Sequence, residues 1–165
     1  MVVAFLKRLA WALLLLALQV LVLDQVHPWG YGAPLVCSLI VITLPLGTSR
    51  SEALLWGFGV GLVADIFAGT PGIGSAAMTL VGLVQPPLLE LMAPRDSDEE
   101  LHPSFSAMGR WNYLQFIALL LLLHHIVYFG LEGFSYFRLE DIAISMGVSY
   151  AASLLIILLI EKVRS

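Results

Sequence analysis

The residues of this chain that can carry chemistry sit in apolar surroundings. Gly57, Gly61, Asp65 and Gly69 recur at spacing four within WGFGVGLVADIFAGTPGIGSAAM. On a helix that spacing places all four on one face, where small side chains let a second backbone approach closely. A carboxyl group in an apolar zone is costly and calls for a protein partner or a water-filled cavity. Depth along the helices suggests the partners. Asp65 lies 13 residues after Glu52, and His124 lies 13 residues after Trp111; each is about 20 Å along its helix at a rise of 1.5 Å per residue. Asp24, 16 residues after Arg8, is slightly further along its own. The expectation is a buried polar cluster, or partner-binding site, built from Asp65, one of His124 and His125, and Asp24.

Other chemistries are poorly matched. Adjacent helical residues point about 100° apart, so His124 and His125 cannot both ligate one ion, and neither has a His, Asp, Glu or Cys three or four positions away. One histidine is expected to bond within the bundle and the other to reach Tyr128 or the outer interface. The acidic run Asp96, Asp98, Glu99 and Glu100 lacks the spaced ligands and glycine of a calcium loop and reads as a solvated or docking surface. No nucleophile elbow, phosphate loop, HExxH or CxxC spacing is present, so no catalytic residue, metal ligand or cofactor is assigned. The one cysteine, Cys37, has no intrachain disulfide partner and reads as a small buried apolar residue.

The elements that position these residues follow from composition. Of the 165 residues, 59% are hydrophobic and 12% charged, with a mean hydropathy of +0.93; soluble domains carry about 25% charged residues. This excludes a conventional soluble globule, and no basic patch points to nucleic acid. A membrane span needs about 20 apolar residues. The hydropathy divides the chain into six predicted spans, about 6–26, 35–46, 52–68, 73–92, 111–130 and 142–160, within a single integral membrane domain covering 1–165. The second is short. The fourth contains Pro86 and Pro87, which remove two backbone donors and predict a kink or break facing neighbouring helices.

Charge then sets direction. With the N-terminus cytoplasmic, the inner positions hold Lys7, Arg8, Arg50, Arg95, Arg110, Lys162 and Arg164, and the outer positions hold Arg138. This positive-inside bias supports an all-α polytopic bundle of six transmembrane helices with both termini inside. Aromatic residues are expected at the two interfaces: Trp56, Trp111 and Tyr113 inside, and Trp29, Tyr31, Tyr128, Tyr136 and Phe137 outside.

In order, the six-span hydropathy, the Gly57/Gly61/Asp65/Gly69 motif running into TPGIG, and the histidine pair after MGRWNYLQF resemble the rod shape-determining MreD family, most closely its Bacteroidota members. The likeness covers nearly the whole chain. It implies a non-enzymatic multi-pass subunit of the bacterial inner membrane, in the complex that organises lateral peptidoglycan synthesis. The partners implied are an MreC-like membrane-anchored protein, with MreB, RodA and a class B penicillin-binding protein as further members. The family fold is similar to the substrate-binding subunits of energy-coupling-factor transporters, which implies an alternative: a vitamin-type, small-molecule-binding subunit with a pocket opening outward. The resemblance transfers no catalytic residues. Asp65 and its glycines enter as structural or partner-binding candidates.

Overall fold

Long apolar runs separated by Gly, Pro and charged residues satisfy their backbone groups within helices, as a lipid environment requires. The computed structural model describes residues 2–98, 100–134 and 138–164. Its helices are α1 (Val2–Leu21), α2 (Leu39–Ile42), α3 (Arg50–Ala68), α4 (Ile73–Met92), α5 (Phe105–Met108), α6 (Arg110–Gly133) and α7 (Leu139–Arg164), with short 3₁₀ turns at Leu23–Gln25 and Pro28–Gly30. The described residues contain no strand. Five helices, α1 with its 3₁₀ extension, α3, α4, α6 and α7, are long and apolar enough to cross a membrane. Their outer faces carry large hydrophobic side chains such as Leu55, Ile66 and Leu155, the surface that lipid rather than water accommodates.

The second expected span does not form a helix of membrane length. Within 35–46 the helix is limited to the four residues Leu39–Ile42, while Leu35 to Ile42 are buried throughout. The physical reason is length: this apolar run, bounded by Pro34 and Pro45, falls well short of the roughly 20 residues a helical crossing needs. It lies inside the protein instead, where non-helical backbone is tolerated at membrane depth.

Pro86 and Pro87 do not break the fourth helix, which is continuous from Ile73 to Met92. Pro86 faces inward with Gln85 and Leu89, as expected of a face turned to other helices, whereas Pro87 is exposed. Tyr113 is not an interfacial aromatic. It is fully buried, and its hydroxyl donates to Glu161 Oε2 at 2.7 Å. Trp111 is exposed, and Trp56 is half-buried with the Arg8 guanidinium 6.0 Å from its ring centre. Tyr136, Phe137, Glu99 and the side chain of Trp29 lie outside the described residues.

Long-range bonds fix the ends of the bundle. Arg8 pairs with Glu52 at 2.7 Å, which sets the start of α1 beside the start of α3. Leu46 N donates to Leu101 O at 3.0 Å, and Arg164 donates to Pro103 O at 3.1 Å, which bring the end of α7 to the loop after α4. The start of α1 and the end of α7 therefore lie at one end of the molecule. The residues expected inside, from Lys7 to Arg164, belong to that basic end, and Arg138 belongs to the other.

The α3–α4 hairpin is the most closely packed pair. A methyl group added at Gly57 would sit 2.4 Å from Met78 O, one at Gly61 2.5 Å from Ser75 Cα, and one at Gly82 2.4 Å from Ala53 O. These are backbone atoms, so the helices would have to separate. Gly57→Ala, Gly61→Ala and Gly82→Ala should each destabilise the protein by about 1–3 kcal/mol, the usual cost of overpacking. Gly59→Ala, where nothing lies within 4 Å, should be neutral or slightly stabilising. Unfolding in a denaturing-detergent titration measures the contrast; equal effects at Gly59 and Gly61 would contradict it.

Candidate functional site

Asp65 is built into the turn between α3 and α4. The chain leaves α3 through Gly69, whose φ of +70° is the left-handed conformation that glycine adopts without strain. It re-enters helix at Ile73, where the first amides have no intrahelical acceptor. Asp65 supplies one. Its Oδ1 accepts from Gly74 N at 2.7 Å and Thr70 Oγ at 2.9 Å; its Oδ2 accepts from Ser75 N at 2.8 Å, Ser75 Oγ at 2.6 Å and Gly72 N at 3.1 Å. Asp65 is 3% exposed. Five donors and the positive end of the α4 dipole stabilise its charge where water cannot. Gly61 and Gly74 make room, since a methyl group on Gly74 would meet Asp65 Oδ1 at 2.6 Å. None of the expected partners, His124, His125 or Asp24, bonds to Asp65; its own hairpin takes up both oxygens.

The histidine pair divides as helix geometry requires. His125 faces α7: its Nδ1–H donates to Leu121 O at 2.8 Å, and its Nε2 lies 3.2 Å from Ser149 Oγ and 3.3 Å from Ser153 Oγ. These serines extend the network to the buried segment that precedes α2. Ser149 Oγ donates to Ala33 O at 2.6 Å, and Ser153 Oγ accepts from Leu35 N at 2.7 Å. Gln19 of α1 completes it from the other side: its Oε1 accepts from Val36 N at 2.8 Å and Cys37 N at 3.3 Å, while its Nε2 donates to Pro34 O at 2.8 Å and Asp24 Oδ1 at 2.6 Å. Further along, Gln85 Nε2 donates to Leu44 O at 2.9 Å.

His124, on the adjacent face, is 1% exposed, and its ring centre is 6.0 Å from that of Tyr128. Its Nδ1 has no hydrogen-bond partner among the described residues. It borders a small internal cavity of about 30 Å³ that Asp24, Asp65 and Tyr128 also line. The expected cluster is therefore present as a shared cavity wall and not as a bonded constellation. Among the described residues no group of three or more His, Cys, Asp or Glu is placed to hold a metal ion.

Sequence reasoning missed Gln19, Gln85, Ser149 and Ser153. The available signal was two glutamines inside otherwise apolar helices and two serines four apart on one face of α7, since buried polar groups in such helices bond across them. It also missed the buried Tyr113–Glu161 pair at the basic end, which Arg164 joins by an ion pair at 3.3 Å. No protein-family model, curated protein or solved structure matches the chain.

Asp65→Ala would leave the amides of Gly74 and Ser75 buried without an acceptor. At about 1–3 kcal/mol for each such group, the loss should reach about 3 kcal/mol or more. Asp24→Ala, which removes one acceptor from a partly exposed position, should cost less than about 1.5 kcal/mol. Detergent-titration unfolding of the two variants tests this, and the same small loss in both would rule out the capping role.

Proposed function

We propose that this protein is a non-enzymatic subunit of the bacterial cell-elongation complex, similar to the MreD family, and that it organises lateral peptidoglycan synthesis by packing against partner helices in the inner membrane. The observation that carries the reading is where the polar groups go. Asp65, His125, Gln19, Gln85 and the α7 serines are all engaged in holding the chain's own backbone. A bundle whose buried polar groups serve architecture acts by presenting a fixed surface, and the exposed apolar faces of α1 and α7 are broad enough to receive other helices. The sequence motifs supply the rest of the proposal: six passes with both termini cytoplasmic, an MreC-like partner, and MreB, RodA and a class B penicillin-binding protein in the same assembly.

One observation favours a second reading, a small-molecule-binding subunit of a transporter. At the end opposite the basic one, a cavity of about 830 Å³ opens between the 3₁₀ turns, α6 and α7. That volume lies in the range of small-molecule sites.

The acidic loop after α4 offers a cytoplasmic contact in the first reading. Its backbone is also structural, because Leu101 O and Pro103 O accept from Leu46 N and Arg164. Its exposed carboxylates are therefore the better probe. A mild-detergent pulldown of the tagged protein from its native membrane should recover an MreC-like protein and wall synthases, and Asp96→Lys/Asp98→Lys should reduce recovery of cytoplasmic partners several-fold while leaving membrane insertion intact. Recovery of an ATPase pair with a bound vitamin would replace this reading with the transporter one.

A further inference from the structure

The opening cavity and the small internal one meet. Asp24, Leu35, Ala68, Thr70 and Tyr128 line both, so the outer chamber of about 830 Å³ ends at an inner chamber of about 30 Å³. The inner volume matches a water-sized group. Its wall mixes acceptors, the carboxylates of Asp24 and Asp65, with donors, the hydroxyls of Thr70 and Tyr128 and the side-chain amide of Gln19. Asp24 has one oxygen beyond the one that Gln19 holds, and the ring of buried His124 borders the same space. Asp65 adds negative charge to the same wall.

The outer chamber has the same sign. Among the described residues its wall carries Asp24, Glu132 and Asp141 against one permanent cation, Arg138, whose guanidinium is 3.0 Å from Asp141, and the ring of His27. Two carboxylates, Asp24 and Glu132, thus face the cavity without a cation among the described residues. Tyr31, Tyr128 and Phe129 supply aromatic surface beside them. Carboxylates and aromatic rings around a cleft are the surroundings that select an organic cation over an anion or a neutral molecule.

We propose that the two chambers form one binding site for an organic ammonium group. Its N–H donors reach the second oxygen of Asp24 where the two chambers meet, and its carbon body lies against the aromatic side chains of the outer one. The shared chemistry has two sources, a free amine or a lysine side chain of a partner at the outer surface. The site goes beyond the scaffold reading and does not depend on it, since the pulldown above decides that reading separately.

The test uses the full-length protein in phosphatidylcholine nanodiscs and isothermal titration with three probes: phenethylamine, its anionic counterpart 3-phenylpropanoate, and the peptide acetyl-Gly-Lys-Gly-amide. Saturable binding of a cationic probe without binding of the anion is expected. Asp24→Asn and Glu132→Gln should each weaken it about tenfold, a loss of about 1.4 kcal/mol. Glu132 is half-buried and its side chain makes no hydrogen bond or ion pair among the described residues, so Glu132→Gln keeps the test informative if Asp24→Asn fails to fold. Tighter binding of the peptide assigns the site to a partner's lysine, and tighter binding of phenethylamine assigns it to a free amine. Binding of neither cation, equal binding of the anion, or unchanged affinity in a folded Glu132→Gln would overturn the proposal.

Discussion

A stretch of backbone that is buried but not helical dictates much of this structure. Helices satisfy their own amides and carbonyls; here the amides from Leu39 to Leu44 do bond within the segment, but those of Leu35, Val36 and Cys37 and the carbonyls of Pro34 and Leu44 do not, and these residues are buried. Side chains from three helices make up the deficit. Gln19 of α1 accepts from Val36 and Cys37 and donates to Pro34; Ser149 and Ser153 of α7 bond to Ala33 and Leu35; Gln85 of α4 donates to Leu44. Each bond is modest in isolation, but leaving a buried backbone group unpaired costs about 1–3 kcal/mol. The positions of α1, α4 and α7 are therefore tied to one segment as well as to each other.

The α3–α4 hairpin solves the same problem at a helix junction. Asp65 lies near the end of one helix and caps the start of the next, and the glycines on its face allow the two backbones to meet without intervening side chains. At the basic end, Tyr113, Glu161 and Arg164 tie α6 to α7 in a buried polar contact. The polar residues within the bundle thus lie mainly where backbones must be satisfied or helix ends joined. His124 departs from that pattern, and it lines a small cavity that shares wall residues with the outer one.

Much of the helical framework was legible in the sequence because it rests on long apolar runs. Ile73 to Met92 matches its predicted limits, and the third, fifth and sixth predicted spans extend by a few residues into charged or aromatic flanks such as Arg50, Glu132 and Glu140. Hydropathy does not report how a run satisfies its backbone, so residues 35–46 read as a span when their small number already argued against a helical crossing. The Gly57/Gly61/Asp65 face was legible as a contact, but its partner was not: the carboxylate turns to amides, which carry no sequence signature, instead of to a histidine. Tyr113 shows the same limit. An aromatic at a helix start has the composition of an interface residue, and its burial depends on Glu161, 48 positions away. Pro86 and Pro87 remove donors, yet a helix packed on one side tolerates the loss without ending.

Cys37 supplies a native probe of the central claim, because it is the chain's one cysteine and its amide bonds to Gln19. Thiol labelling of the protein in nanodiscs with a membrane-impermeant maleimide reads its burial, here 3% exposed. Cys37 should stay unlabelled in the intact protein, and Gln19→Leu, which removes the acceptor for Val36 and Cys37, should make it reactive at least tenfold faster while α3 and α4 remain folded. Rapid labelling of the unaltered protein, or a Gln19→Leu variant that is as protected and as stable as the parent, would contradict the claim that side chains of the surrounding helices hold this segment in place.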